Sequence, residues 1–184
     1  MSRSIYTASR LFISCLFLLL SVSSFANPSP IDKLHSIGDN QYHLVSIKNP
    51  NQDYHLFVHL PKSYENEKGR KYPVLYLLDG GYTFPMLASY YRLINLVDDA
   101  PEVILVGISY GTSDWQKGNS RGRDFTAPSN IDDRKHWGGA ERFSQTLNED
   151  VFPLIEKNYR ADSRRRVVFG NSLGGQFGIY LAQF

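Results

Sequence analysis

Cysteine is nearly absent from this 184-residue chain, whose only one is Cys15. A single thiol excludes an internal disulfide, so packing of the core has to hold the fold together. An excess of one charge is also missing, because 20 Lys and Arg residues stand against 18 Asp and Glu residues. Without a basic excess we expect neither nucleic acid nor an anionic membrane surface as a partner.

Long hydrophobic runs are missing too, apart from one near the N-terminus. Leu11–Val22 is apolar over 12 residues, well short of the roughly 20 that a membrane-spanning helix needs. A basic start precedes this run and small residues follow it up to Ala26, a pattern typical of a secretory signal peptide. We therefore expect residues 1–26 to be cleaved and residues 27–184 to form one exported domain, periplasmic or secreted, with no membrane contact after cleavage.

The rest of the chain alternates strand and helix patterns. Apolar strands that alternate with amphipathic helices predict an α/β fold of three layers, in which helices cover both faces of a mostly parallel sheet that begins with an antiparallel hairpin. In chain order the segments are strands Gln41–Ile47, Asp53–Leu60 and Tyr72–Leu78, helix Thr83–Asp98, strand Glu102–Ser109, loop Tyr110–Gly139, helix Ala140–Tyr159 interrupted near Pro153, strand Arg165–Phe169, and helix Gln176–Phe184.

Three histidines fall on the predicted hairpin. His43, His55 and His59 belong to its two strands, and we interpret them as surface or half-buried strand residues without a catalytic or metal-binding role. We expect no metal site, and we expect no cofactor either.

The most informative stretch is Arg165–Gly175. Its β-branched and aromatic residues lead directly into Gly170-Asn171-Ser172-Leu173-Gly174, which is the nucleophile-elbow pattern of strand, sharp turn and helix. The flanking positions have to be very small because the strand and helix backbones nearly touch there. A dinucleotide fingerprint would need glycine in place of Ser172, and a phosphate loop would need Gly-Lys-Ser/Thr, so neither fits. An ordinary glycine-rich turn stays open as the alternative.

Several segments together resemble the putative-esterase branch of the α/β-hydrolase superfamily, and its siderophore-esterase-like members in particular. They are Tyr72–Gly80, Arg123–Thr126, Gly138–Phe143 with Phe152–Ile155, and Phe169–Gly175. The resemblance runs from Gln41 to the last residue and departs at Asn171, where relatives usually carry His. It implies a serine carboxylic-ester hydrolase that acts through an acyl-enzyme, without a cofactor, on siderophore-type or other small esters.

The resemblance also implies roles for individual residues. Ser172 would be the nucleophile, and the backbone N–H groups of Leu173 and Gly81 would form the oxyanion hole. Arg123 would contact the substrate, although an ion pair with Asp124 or Asp133 that orders the loop is the alternative. Arg121 has the same two possible roles, to contact an anionic ligand or to order the loop.

The activating residues of such a site are missing from the sequence. The superfamily places its acid and then its His after the serine, but no His, Asp or Glu follows Ser172. His136 precedes the serine and would break that order. We therefore expect an N-terminal fragment of a longer esterase, truncated after about five strands and inactive alone. A secreted acyltransferase of the same fold and a non-catalytic binding module are the alternatives; the oligomeric state stays open.

Overall fold

The computed structural model describes residues 40–48, 51–97, 100–128 and 137–183. The predicted leader, His136 and Asp133 lie outside these ranges.

The described strands form one five-stranded sheet in the order β1-β2-β4-β3-β5. The β1–β2 and β2–β4 pairs are antiparallel, whereas β3 is parallel to both β4 and β5. The strands are β1 (Gln41–Lys48), β2 (Asn51–His59), β3 (Tyr72–Leu77), β4 (Ile104–Ser109) and β5 (Ala161–Phe169).

The prediction of a mostly parallel sheet was wrong, because the sheet is mixed. The N-terminal hairpin lies at one edge of the sheet, beside the parallel strands β4, β3 and β5. Its second strand, β2, pairs with β4 in the antiparallel sense, from His55 opposite Ser109 to His59 opposite Leu105. Alternation along a strand shows which side chains share a face but does not identify the strand that will pair with it.

Helices cover both faces of this sheet. The helical segments are α1 (Gly80–Asn95), a 3₁₀ turn (Trp115–Lys117), α2 (Arg121–Asp124), α3 (Ala140–Thr146), a π-helical turn (Leu147–Val151), α4 (Phe152–Asn158) and α5 (Leu173–Leu181). The predicted interruption near Pro153 is confirmed. Proline has no N–H to offer the preceding turn, and the π-helical turn ends directly before the residue at which α4 begins.

Two apolar clusters form the core, one on each face of the sheet. Tyr76 of β3 belongs to the cluster that includes Phe143 and Phe177 from the helices that follow β4. The next residue, Leu77, belongs to the cluster of α1 on the opposite face. Successive residues of a strand point to opposite faces, so β3 is buried on both.

Apolar spacing in the predicted helix Thr83–Asp98 indicates a buried stripe of Leu87, Tyr90, Ile94 and Val97, which the structure matches only in part. The helix buries Phe84, Ala88 and Tyr91, while Tyr90 is 59% and Val97 73% exposed. Leu87 and Ile94 of the predicted stripe are partly buried and pack against the same cluster, so the observed face overlaps the predicted one without coinciding with it. No helix in the described part of the chain is both long and apolar enough to cross a membrane.

Candidate active site

The ends of β3 and β5 bring two loops together at one edge of the sheet. These strands are parallel neighbours, with Leu77 opposite Phe169, and Leu78 N–H donates to the carbonyl oxygen of Phe169 at 2.9 Å. Because both strands end here, the turn before α1 and the turn before α5 lie side by side. This is the edge at which open α/β sheets usually hold their ligands.

Ser172 occupies the turn between β5 and α5. Its backbone has φ 56° and ψ −122°, a strained conformation for a residue with a Cβ. The side chain is exposed, and α5 begins with the next residue, Leu173. Ser172 therefore has the backbone shape that the Gly-x-Ser-x-Gly pattern predicts, while its role as a nucleophile stays a prediction.

The two glycines of the pattern differ in how much space they have. A Cβ on Gly170 would lie 2.3 Å from both the carbonyl carbon and the carbonyl oxygen of Gly174. A Cβ on Gly174 would instead make ordinary contacts, 3.5 Å from Leu78 Cβ and 3.6 Å from Asp79 Oδ2. The close approach of strand and helix therefore depends on Gly170.

The predicted oxyanion donors belong to the first turns of two helices. Leu173 is the first residue of α5 and Gly81 the second residue of α1. The first four N–H groups of a helix have no acceptor within that helix, and the helix dipole favours negative charge there. Both N–H groups are thus of the kind that binds an oxyanion, although their pairing in one hole stays a prediction.

Asp79 connects the turn before α1 to the loop that follows β4. It precedes α1 with φ 54° and ψ 40° and makes no side-chain bond to the start of that helix. Arg121 donates to it through two nitrogens, from Nε to Oδ1 at 2.7 Å and from Nη2 to Oδ2 at 3.0 Å. The hydrogen bond with Asp79 raises the pKa of Arg121. Two roles were left open for Arg121, contact with an anionic ligand and ordering of the loop. The structure shows a contact within the protein, of the kind that orders the loop.

Asp79 was not singled out by the sequence reasoning. The signal was its place between a buried strand and Gly80-Gly81, together with an unassigned arginine about forty residues later in a polar loop. Nothing in the spacing of the two indicates that they meet, because the ion pair depends on how the loop folds back over the strand ends.

Arg123 forms the ion pair that the sequence left open, with Asp124. Arg123 Nε donates to Asp124 Oδ1 at 2.6 Å, and the hydroxyls of Tyr54 and Tyr110 donate to Asp124 Oδ2 at 2.8 and 3.1 Å. Asp124 is 2% exposed. Burial, followed by the charge of Asp124, raises the pKa of both tyrosines. The loop is therefore held in place by a buried carboxylate.

The ion pair with Asp124 leaves the predicted contact of Arg123 with a substrate as a prediction. The residue also lines an open cavity of about 720 Å³ together with Trp115 and Trp137. A second cavity, of about 490 Å³, adjoins Gly81. Most of its lining is apolar, although hydroxyl-bearing residues take part; the lining includes Phe57, Tyr82, Phe84, Pro85, Ser109 and Thr112.

The described histidines lie on the strands at the opposite edge of the sheet from β5, the strand that leads to Ser172. His43, His55 and His59 belong to β1 and β2, which β4 and β3 separate from β5. Their ring nitrogens hydrogen-bond Tyr159 Oη, Tyr42 Oη and Asn40 Oδ1, respectively. His59 is 9% exposed, more buried than expected. Within residues 40–183, leaving aside the undescribed positions, no His therefore stands beside Ser172, and no group of three or more His, Cys, Asp or Glu residues is arranged to hold a metal ion.

The chain is similar to known proteins in both sequence and structure. The sequence profile of the family described as "Putative esterase" matches residues 47–184. The chain is 35% identical over 154 residues to the ferri-bacillibactin esterase BesA of Bacillus subtilis, which is 77% of this chain and 52% of that protein. It is 28% identical over 180 residues to the apo-salmochelin esterase of Escherichia coli O6:H1, or 90% of this chain and 55% of the relative.

A similar solved structure is that of an IroE-like serine hydrolase from Shewanella oneidensis. It superimposes with a TM-score of 0.59 at 26% sequence identity, over 76% of this chain and 44% of that one. The chain thus spans about half the length of the curated relatives it matches.

Proposed function

Because this chain belongs to the family described as "Putative esterase", we propose that it carries the nucleophile and oxyanion donors of a serine carboxylic-ester hydrolase. The match over residues 47–184 confirms the family predicted from the sequence segments. The family and its siderophore-esterase relatives support hydrolysis of ester bonds. The observation that carries the serine mechanism is the strained backbone of Ser172, held at the start of a helix with its side chain exposed.

The proposed reaction has two halves. Ser172 Oγ attacks the ester carbonyl carbon and gives its proton to a base, while the N–H groups of Leu173 and Gly81 bind the developing oxyanion. The carbon–oxygen bond to the alcohol then breaks, and the alcohol leaves with the proton. Water attacks the resulting acyl-serine in the same way and releases the acid and free Ser172.

No described histidine is placed to accept the proton of Ser172. The described histidines are bound elsewhere, on β1 and β2, and an unassisted serine hydroxyl is a weak nucleophile. We therefore propose that the 184-residue chain alone hydrolyses esters very slowly. Rapid turnover by this chain would implicate His136.

We propose a small ester as the substrate, of the siderophore type for which the relatives are named. The largely apolar cavity beside Gly81 has room for one compact group of such an ester. Arg123 stays the proposed substrate contact, because it lines the open cavity beside Trp115 and Trp137.

The test uses both the 184-residue chain and the longest product of its reading frame. Each is incubated with a fluorophosphonate probe, p-nitrophenyl acetate and ferri-bacillibactin. We expect the longer product to be labelled at Ser172 and to hydrolyse the esters, and Ser172→Ala to abolish both activities. Ser163→Ala, at an exposed position of β5, is the matched control and should retain them. Hydrolysis that survives Ser172→Ala would refute the proposal.

The alternatives give different results in the same assay. A secreted acyltransferase would form the acyl-enzyme but pass the acyl group to an added alcohol faster than to water, so the transfer product would predominate. A non-catalytic binding module would bind ferri-bacillibactin without labelling or turnover.

We also propose export after cleavage of residues 1–26. Mass spectrometry of the protein recovered outside the cytoplasm should find a chain that begins at Asn27. An intact Met1 on the exported protein would contradict cleavage.

A further inference from the structure

Asp79 places a negative charge among the groups proposed to bind an oxyanion. It directly precedes α1, two residues before Gly81. Its Oδ2 is 3.6 Å from the position that a Cβ on Gly174 would take, in the first turn of α5. The carboxylate thus lies close to the N-termini of both helices, and a helix N-terminus attracts any anion within reach.

A free carboxylate at this place would compete with the substrate. Aspartate before a helix commonly accepts a hydrogen bond from the second or third N–H of that helix, and here the second belongs to Gly81. Even without such a bond, its charge would repel the negative oxygen that develops in the transition state. An oxyanion site next to an aspartate therefore needs something to hold the carboxylate away.

Arg121 makes the contacts that such a role requires. Both oxygens of Asp79 accept from it in a side-on pair, and the Asp79 side chain is 16% and that of Arg121 34% exposed. The guanidinium also lies 5.6 Å from the centre of the Phe125 ring, and Arg121 N–H donates to Asn119 Oδ1 at 3.1 Å. Two planar groups joined by two parallel hydrogen bonds have a fixed relative orientation.

We propose that Arg121 is a positioning residue, which neutralises Asp79 and keeps its carboxylate out of the oxyanion site formed by Gly81 and Leu173. This inference rests on the proposed function. It differs from a simple ion pair that stabilises the loop, because it makes Asp79 harmful to the reaction once Arg121 is removed.

A double-variant experiment on the longest product of the reading frame separates the two roles. Arg121→Gln is expected to lower kcat for p-nitrophenyl acetate by roughly a hundredfold with little change in KM, comparable to the loss of one oxyanion donor. Adding Asp79→Gly removes the carboxylate and suits the positive φ, so the double variant should recover at least tenfold. Arg121→Lys keeps the positive charge and should lose less than Arg121→Gln.

The control variant is Arg70→Gln. Arg70 pairs with Glu102 at 2.7 Å and its side chain is 42% exposed, so this change removes a comparable ion pair far from the elbow and should leave kcat unaltered. The ratio of rates on an ester and its thiono analogue serves as a second measurement. It should fall in Arg121→Gln and rise again in the double variant, and it does not depend on how much of the protein is folded.

The outcomes separate this inference from the proposed function. A double variant no faster than Arg121→Gln, or an unchanged rate ratio, in an enzyme that depends on Ser172 would overturn the positioning role alone. Wild-type protein without any hydrolysis that depends on Ser172 would overturn the proposed function and, with it, this inference.

Discussion

Gly170 and Gly174 approach so closely at the elbow that a Cβ on Gly170 would lie 2.3 Å from the carbonyl carbon of Gly174. The atoms in the way are backbone atoms, which cannot rotate aside as the end of a side chain can. We predict that Gly170→Ala lowers the free energy of unfolding by about 2 kcal/mol or more, as overpacking does, and shifts Ser172 out of its turn. Urea unfolding and fluorophosphonate labelling measure the two effects.

Gly178 in α5 is the matched control. A Cβ there would meet no heavy atom within 4 Å, and alanine is the better helix former. Gly178→Ala should therefore raise the free energy of unfolding by about 0.5 kcal/mol. If both variants were equally stable, the close packing at Gly170 would not be a constraint.

A second prediction concerns the strain at Ser172. Its φ of 56° costs of order 1 to 3 kcal/mol for a residue with a Cβ, whereas glycine adopts it freely. Ser172→Gly should be more stable than Ser172→Ala by roughly 1 kcal/mol after allowance for the greater freedom of glycine in the unfolded chain. Thermal and urea unfolding of the two variants make the comparison. A more stable alanine variant would show that the turn is not strained.

Much of this site could be predicted from the sequence because its signals are local. The strand before Ser172, the glycines around it and the helix after it are neighbours in the chain. The residue type at each of these positions indicates the backbone conformation that the position needs. The partners of Arg121 and Asp124 could not be predicted in this way. Asp79 and Tyr54 meet them across 42 and 70 residues, respectively.

In the sheet, too, the position of each strand could be predicted from the sequence, whereas the pairing of distant strands could not. Strand positions follow from apolar patterns, so five strands could be anticipated. The antiparallel pairing of β2 with β4 joins segments about fifty residues apart, and the hairpin would have the same pattern beside any other strand.

Asp124 provides a third prediction, since it accepts hydrogen bonds from Tyr54, Tyr110 and Arg123 while almost fully buried. Asp124→Asn removes the charge that balances Arg123 and replaces one acceptor oxygen by a donor. Breaking a buried ion pair typically costs about 3 to 5 kcal/mol, and we expect a loss of that size in urea unfolding. Asp114→Asn, at a partly exposed loop position, is the control and should cost far less. Equal losses would contradict the central place of Asp124.

The fourth prediction is a loss of stability in alkaline solution, to which the two tyrosines that contact Asp124 contribute. Burial and the nearby carboxylate raise the pKa of Tyr54 and Tyr110 above the ordinary value of 10.0. In the unfolded chain both lose their protons near that ordinary value, while the folded protein keeps them. Stability is therefore unaffected well below pH 10 and falls as the pH rises above it, by up to about 1.4 kcal/mol per pH unit for each tyrosine.

Urea unfolding between about pH 8 and pH 11 tests this dependence against the ordinary tyrosine pKa. The double variant Tyr54→Phe and Tyr110→Phe should be less stable than the wild type at neutral pH, because Asp124 loses two donors. Its stability should nevertheless fall less steeply above pH 10, since the two phenols are gone. Tyr82→Phe, at a position 67% exposed, removes a hydroxyl from the surface and should keep the wild-type slope. A double variant with the wild-type slope would show that these two phenols do not cause the alkaline loss.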